Sequence, residues 1–94
     1  MTDALKVTIA ERKGDTSDFV DAHITSEGDL RVERNSFGPG DYETEVTVLV
    51  KKDAKDRLLL ALLEALYAGN TNALEDLEKL AAAKGIPTSR FRWP

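Results

Sequence analysis

Between Leu5 and Val50 the chain alternates apolar and polar residues in four successive runs. Leu5, Val7 and Ile9 are separated by Lys6 and Thr8, the period of a half-buried strand. In DFVDAHIT, Val20, Ala22 and Ile24 point one way while Asp21, His23 and Thr25 point the other. DLRVER sets Leu30 and Val32 against Arg31 and Glu33. The longest run, DYETEVTVLV, gathers Tyr42, Thr44, Val46, Val48 and Val50 on one face and Glu43, Glu45 and Thr47 on the other. The connections ERKGDTS, SEGD and NSFGPGD are short and rich in turn formers, which favours antiparallel neighbours in a meander.

After Lys52 the period changes. Asp53 reads as the N-cap of a helix running to about Ala68, its carboxylate set against the positive end of the helix dipole. Leu58, Leu59, Leu60, Leu62, Leu63, Leu66 and Tyr67 cover an arc of roughly 200° at 100° per residue. An arc so wide predicts contact with the sheet on one side and with a second helix on the other. Gly69 suits the left-handed position after a helix, and Asn72 reads as the next N-cap, with Glu75 as its capping-box partner. Ala73, Leu74, Leu77, Leu80 and Ala81 form a narrower stripe before Gly85 and Pro87 stop the helix. SRFRW alternates again, Phe91 and Trp93 opposite Arg90 and Arg92, which predicts a short strand. The expected fold is α+β, one domain over 1–94. A four-stranded antiparallel meander is followed by two helices packed on one sheet face and by a short C-terminal fifth strand, in the order ββββααβ.

Composition narrows the chemistry. With 94 residues, 41% of them hydrophobic, the chain suits a single small core. It has no cysteine, which removes disulfides, thiolate nucleophiles and cysteine zinc sites and points to a reducing compartment. MTDALKVTIAERKGD lacks the basic start and long apolar run of a secretory signal, and LLLALLEALYA is too short to cross a bilayer, so a soluble, cytoplasmic protein without a membrane partner is expected. A net charge of -4 argues against direct nucleic-acid binding, whose affinity comes largely from cations displacing counterions. Mild acidity suits a partner protein with a basic surface; it also keeps a small protein soluble.

Gly38-Pro39-Gly40 is the most conspicuous local motif. Phosphate-binding glycine loops lead from a strand into a helix N-terminus, whereas this one leads into a strand and carries no Gly-Lys-Ser/Thr, so it reads as a turn. Phe37 beside it is either folded back as a lid on the core or presented to a partner. His23 is the sole histidine, which excludes a two-histidine metal site and makes it an outward-facing strand residue. Asp15, Asp18 and Asp21 lie close in sequence, but three-residue spacing on an extended chain scatters side chains over both faces, and no calcium loop surrounds them. Neither Ser17 nor Ser26 sits in a nucleophile elbow. Glu43 and Glu45 project together, with Asp21 on a neighbouring strand. Acid-base work would need an apolar or like-charged pocket around one of them, and an open sheet face offers water instead. No catalytic residue, cofactor or metal site is assigned.

GDL, the glycine-proline turn, DYE with its valine-rich strand, DRLLLALL, ALEDL and GIP before a terminal aromatic and Trp resemble a small family of uncharacterised bacterial and phage proteins with no assigned activity, over about Gly28 to Trp93. The shared motifs are structural. The resemblance implies a bacterial or phage origin, where small acidic non-enzymatic proteins often neutralise another macromolecule, as immunity and counter-defence inhibitors do. The expected function is accordingly a small acidic binding module contacting its partner through Asp21, His23, Phe37, Glu43 and Glu45. A homodimer through an open sheet face or edge is compatible with the pattern. The alternatives are a small enzyme, or an enzyme subunit, using the same carboxylates, and a housekeeping structural domain.

Overall fold

The computed structural model describes residues 5–94. Four strands, β1 (Lys6–Arg12), β2 (Ser17–Ile24), β3 (Leu30–Phe37) and β4 (Glu43–Val50), form one antiparallel meander in the order β1-β2-β3-β4. A 3-10 turn over Lys52–Ala54 leads into α1 (Lys55–Tyr67), and α2 (Ala73–Ala83) follows. The chain divides into two compact units, one ending at Leu60 and the other beginning at Ala61, so that α1 contributes to both.

In the first unit, period-two alternation becomes two chemically distinct sheet faces. Directly paired residues share a face. Ile24, Leu30 and Val50 form one cross-strand row, Val7, Ala22, Val32 and Val48 the next, and Ala10, Val20, Arg34 and Val46 a third. The register slips between Thr8 and Ala10, a bulge that absorbs Ile9 and lets Val7 and Ala10 share the valine face. The opposite face carries Lys6, Thr8, Glu11, Phe19, Asp21, His23, Arg31, Glu33, Phe37, Glu43 and Glu45.

Two turns close the central hairpins by different means. Between β2 and β3, Thr25 N–H donates to Asp29 O (2.8 Å), Gly28 N–H to Thr25 O (2.9 Å) and Asp29 N–H to Thr25 Oγ1 (3.1 Å). Gly28, at φ 89°, takes the left-handed conformation this closure demands. Between β3 and β4, Gly38 N–H donates to Tyr42 O (3.0 Å) and the Tyr42 ring lies over Gly38. A Cβ at position 38 would stand 2.7 Å from Tyr42 Cδ2, so the glycine is required by the ring rather than by its own dihedrals.

In the second unit, α2 ends in a Schellman motif: Ile86 N–H donates to Ala81 O (2.8 Å) and Gly85 N–H to Ala82 O (3.1 Å), with Gly85 at φ 70°. Gly69, after α1, is likewise left-handed, as its place in the sequence predicts.

Several expectations are corrected. Asp53 does not cap α1; it lies inside the 3-10 turn, and Lys51 precedes that turn without a side-chain cap. Asn72 does stand at the N-cap position of α2, as expected, but makes no side-chain cap bond. Asn70 serves that turn instead, its Oδ1 accepting from Asn72 N–H (2.9 Å) and its Nδ2 donating to Asp76 Oδ2 (2.9 Å). Among the described residues there is no fifth strand. Arg90 is drawn to α2 by Glu78, donating to both carboxylate oxygens at 3.0 and 2.7 Å, with Glu75 at 3.6 Å. Beyond it Phe91 and Trp93 are 89% and 95% exposed.

Burial is sparse. Among the described residues only one hydrophobic residue, Ala81, is buried. Leu59, Leu60, Leu62 and Leu66 of α1, and Leu74, Leu77 and Leu80 of α2, all stay exposed.

Candidate functional site

The charged face of the sheet is built by register. Phe37 pairs with Glu43 and Ser17, Asn35 with Glu45 and Phe19, Phe19 with Glu11, and Glu33 with Asp21 and Thr47. Side chains of directly paired residues stand side by side, so Glu11, Asp21, Glu33, Glu43 and Glu45 surround an aromatic pair. Phe19 and Phe37 meet edge to face with centroids 6.0 Å apart. Thr8 Oγ1 donates to Asp21 Oδ1 (2.9 Å), fixing that carboxylate at the patch margin. Glu33 is partly neutralised by Arg31, whose Nε lies 3.0 Å from Glu33 Oε2.

Of the residues expected from sequence, Asp21, Phe37, Glu43 and Glu45 therefore gather on one patch. His23 shares the face but not the patch. It pairs with Lys6 on one side and Arg31 on the other, a cationic corner at the opposite end of the strands. Phe37 is 41% exposed and meets Phe19 edge to face.

At one end of the valine face lies an open pocket of about 490 Å³, lined by Arg12, Asp18, Arg34, Ser36 and Tyr42 among others. Asp18 organises it. Ser36 Oγ donates to Asp18 Oδ1 (2.6 Å), and Arg12 Nε donates to Oδ2 (3.0 Å) with Nη2 also in contact. The hydrogen bond from Ser36 and then that from Arg12 hold the Asp18 carboxyl below its ordinary value. Three-residue spacing does scatter the aspartates, as expected: Asp18 lies on the valine face and Asp21 on the charged one.

A second polar cluster escaped sequence reasoning. Asp29 is only 4% exposed, yet its carboxylate is fully engaged. Lys52 N–H donates to Oδ1 (2.8 Å) and Lys51 Nζ to Oδ2 (3.1 Å). These bonds lower the Asp29 pKa, that from Lys51 foremost, and the same contact raises that of Lys51. The link joins the β2–β3 turn to the 3-10 turn after β4, so its purpose is structural. A turn aspartate followed by a strand is too common a pattern to betray a partner 22 residues away.

Among the described residues no group of histidine and acidic side chains is arranged to hold a metal ion, and no helix is long and apolar enough to cross a membrane. No known protein family, curated protein or solved structure matches the chain.

Proposed function

We propose that this protein is a non-enzymatic binding module that presents its acidic sheet face to a basic surface of another protein, in the manner of an inhibitor or an immunity or counter-defence protein. The observation that carries this reading is the convergence of Asp21, Glu43 and Glu45 with Glu11 and Glu33 around the half-exposed Phe19–Phe37 pair. Clustered charge of one sign steers a partner of opposite charge and speeds encounter, while an aromatic anchor at the centre supplies affinity once water is expelled. Exposed carboxylates such as Glu43 and Glu45 serve docking better than proton transfer, which needs an enclosing apolar wall. A cytoplasmic location and a bacterial or phage origin accompany the proposal. They rest on the cysteine-free composition and on the sequence resemblance.

The test is affinity capture from lysate of the source organism, with the bound fraction identified by mass spectrometry, using the native chain and the triple variant Asp21→Lys, Glu43→Lys, Glu45→Lys. The native chain should retain a basic protein released by salt, and the variant should lose it while melting within about 1 kcal/mol of the native chain. A second variant with the same charge change elsewhere, Asp15→Lys, Asp56→Lys, Glu64→Lys, should bind normally. Equal binding by the native chain and the acidic-face variant overturns the proposal.

A further inference from the structure

The helical backbone that becomes α1 starts badly on its own sequence. It begins at Lys52, where the 3-10 turn runs straight into α1, Lys55 already being right-handed at φ -61° and ψ -38°. Lys51 holds the N-cap position in the extended conformation proper to it, φ -64° and ψ 153°, but a lysine side chain has no acceptor to offer the first N–H groups. Lys51, Lys52 and Lys55 also bring three cations to the positive end of the helix dipole, against Asp53 and Asp56 on the same stretch. Such a beginning needs an acceptor and a negative charge from elsewhere.

Asp29 supplies both. Leu30 pairs with Val50, so one step further along the antiparallel ladder Asp29 falls opposite Lys51. Its Oδ1 accepts from Lys52 N–H, the first of the helical N–H groups, at 2.8 Å, and its Oδ2 accepts from Lys51 Nζ at 3.1 Å. The buried carboxylate is aimed by its own turn, where Thr25 N–H donates to Asp29 O and Asp29 N–H to Thr25 Oγ1. The turn and the helix start also touch, since a Cβ on Gly28 would lie 3.6 Å from Lys52 Cβ. All of these residues belong to the first unit.

We infer that Asp29 is the N-cap of this helix supplied from another loop, and that it works as a latch: the start of α1 is held helical by the closed β2–β3 turn, so that the two segments open and close together. A cap within the helix's own sequence would be indifferent to the state of that turn. Segments of a folded chain open locally in cooperative units, and here the unit is made of pieces 22 residues apart in sequence. The coupling runs both ways, so the helix start holds the turn shut to the same extent. The latch uses no partner and stands whether or not the acidic face binds one.

Native-state hydrogen exchange on the full chain reads the coupling amide by amide, with rates at Lys52, Ala54 and Lys55 taken relative to Val32 in the middle of β3 so that any overall loss of stability cancels. Asp29→Ala should speed these three amides about tenfold. Asp29→Asn keeps an oxygen for Lys52 N–H and weakens only the charge; it should lie between the two, and it serves the same comparison if the alanine variant does not fold. Gly28→Val, strained at φ 89°, should open the turn and speed the same amides, whereas Gly40→Val, strained at φ 68° in the other turn, should not. The decisive variant combines Asp29→Ala with Lys51→Ser, which gives the helix a cap of its own; serine is chosen because Glu27 and Asp53 already set negative charge near Lys51. Protection at Ala54 and Lys55 should return, and Gly28→Val added to this variant should no longer change it. Unchanged exchange in Asp29→Ala and Asp29→Asn, or an equal response to Gly28→Val and Gly40→Val, overturns the inference. A failure of Lys51→Ser to restore protection overturns it as well, and shows that Asp29 is a buried contact rather than a cap.

Discussion

The two turns at the ends of β3 perform the same topological task with different materials. The turn between β3 and β4 is closed locally: a backbone bond from Gly38 N–H to Tyr42 O, a longer one from Tyr42 N–H to Pro39 O, a ring laid over a glycine, and Gly40 in the left-handed region at φ 68°. The turn between β2 and β3 is closed locally too, but its aspartate also reaches out of the turn to Lys51 and Lys52, beyond the far end of β4. The first turn is conspicuous in sequence and self-contained. The second is inconspicuous and holds distant parts of the chain together. Glycine and proline advertise constraints on the backbone they occupy, whereas a buried carboxylate is defined by partners that lie elsewhere.

The comparison is broken most severely at Asp29. Asp29→Ala removes both acceptors and leaves Lys52 N–H without its partner, and should produce the largest loss of stability of any single change in either turn, read by urea denaturation. The same link sets a pH dependence. The folded-state pKa of Asp29 is depressed, so the unfolded chain takes up its proton first as pH falls below about 4. The stabilisation is complete above that range and is lost as pH falls through the lower folded-state value. Asp29→Asn should flatten this acid limb, leaving the part contributed by Asp18, which is depressed in the same direction. An acid limb identical to that of the native chain would show that the link contributes nothing.

The glycine-rich turn should respond more mildly. Gly38→Ala forces the Tyr42 ring away from its position and should cost about 1–3 kcal/mol, with the near-ultraviolet signal of tyrosine changing in parallel. Phe37→Ala should cost least, about 1 kcal/mol, because the ring is 41% exposed and gains mainly an edge contact with Phe19. A loss above about 3 kcal/mol would support the lid reading and place Phe37 in a core.

Most of the fold was legible because alternation is a local property. The strands, their order and the division of Asp18 from Asp21 follow from a period of two and short connections. The shared face of Asp21, Glu43 and Glu45 was legible for the same reason, whereas Phe37, which the sequence leaves between a lid and a partner contact, joins them only through register. The limits were of one kind. Alternation at Phe91 and Trp93 specifies two sides but supplies no neighbouring strand, and the pull of Glu78 on Arg90 directs the segment toward α2. Asp53 and Asn72 have the right chemistry for caps, yet Asn70 reaches the α2 turn first and a 3-10 turn takes up Asp53. His23 was grouped with acids by face alone, and only register reveals that Lys6 and Arg31 flank it.

The bulge at Ile9 bears on how the sheet meets other sheets sideways. Within the sheet the outer strands β1 and β4 each pair with another strand on one side only, but they are not equivalent. β1 is kinked between Thr8 and Ala10 and carries Lys6 and Arg12, a combination that spoils the straight ladder an incoming strand needs. β4 runs eight residues without proline, lysine or interruption. An incoming strand would find a straight ladder along β4 and not along β1. A single extra residue in β1 thereby guards that side of the sheet against the stray pairing that turns soluble sheets into filaments.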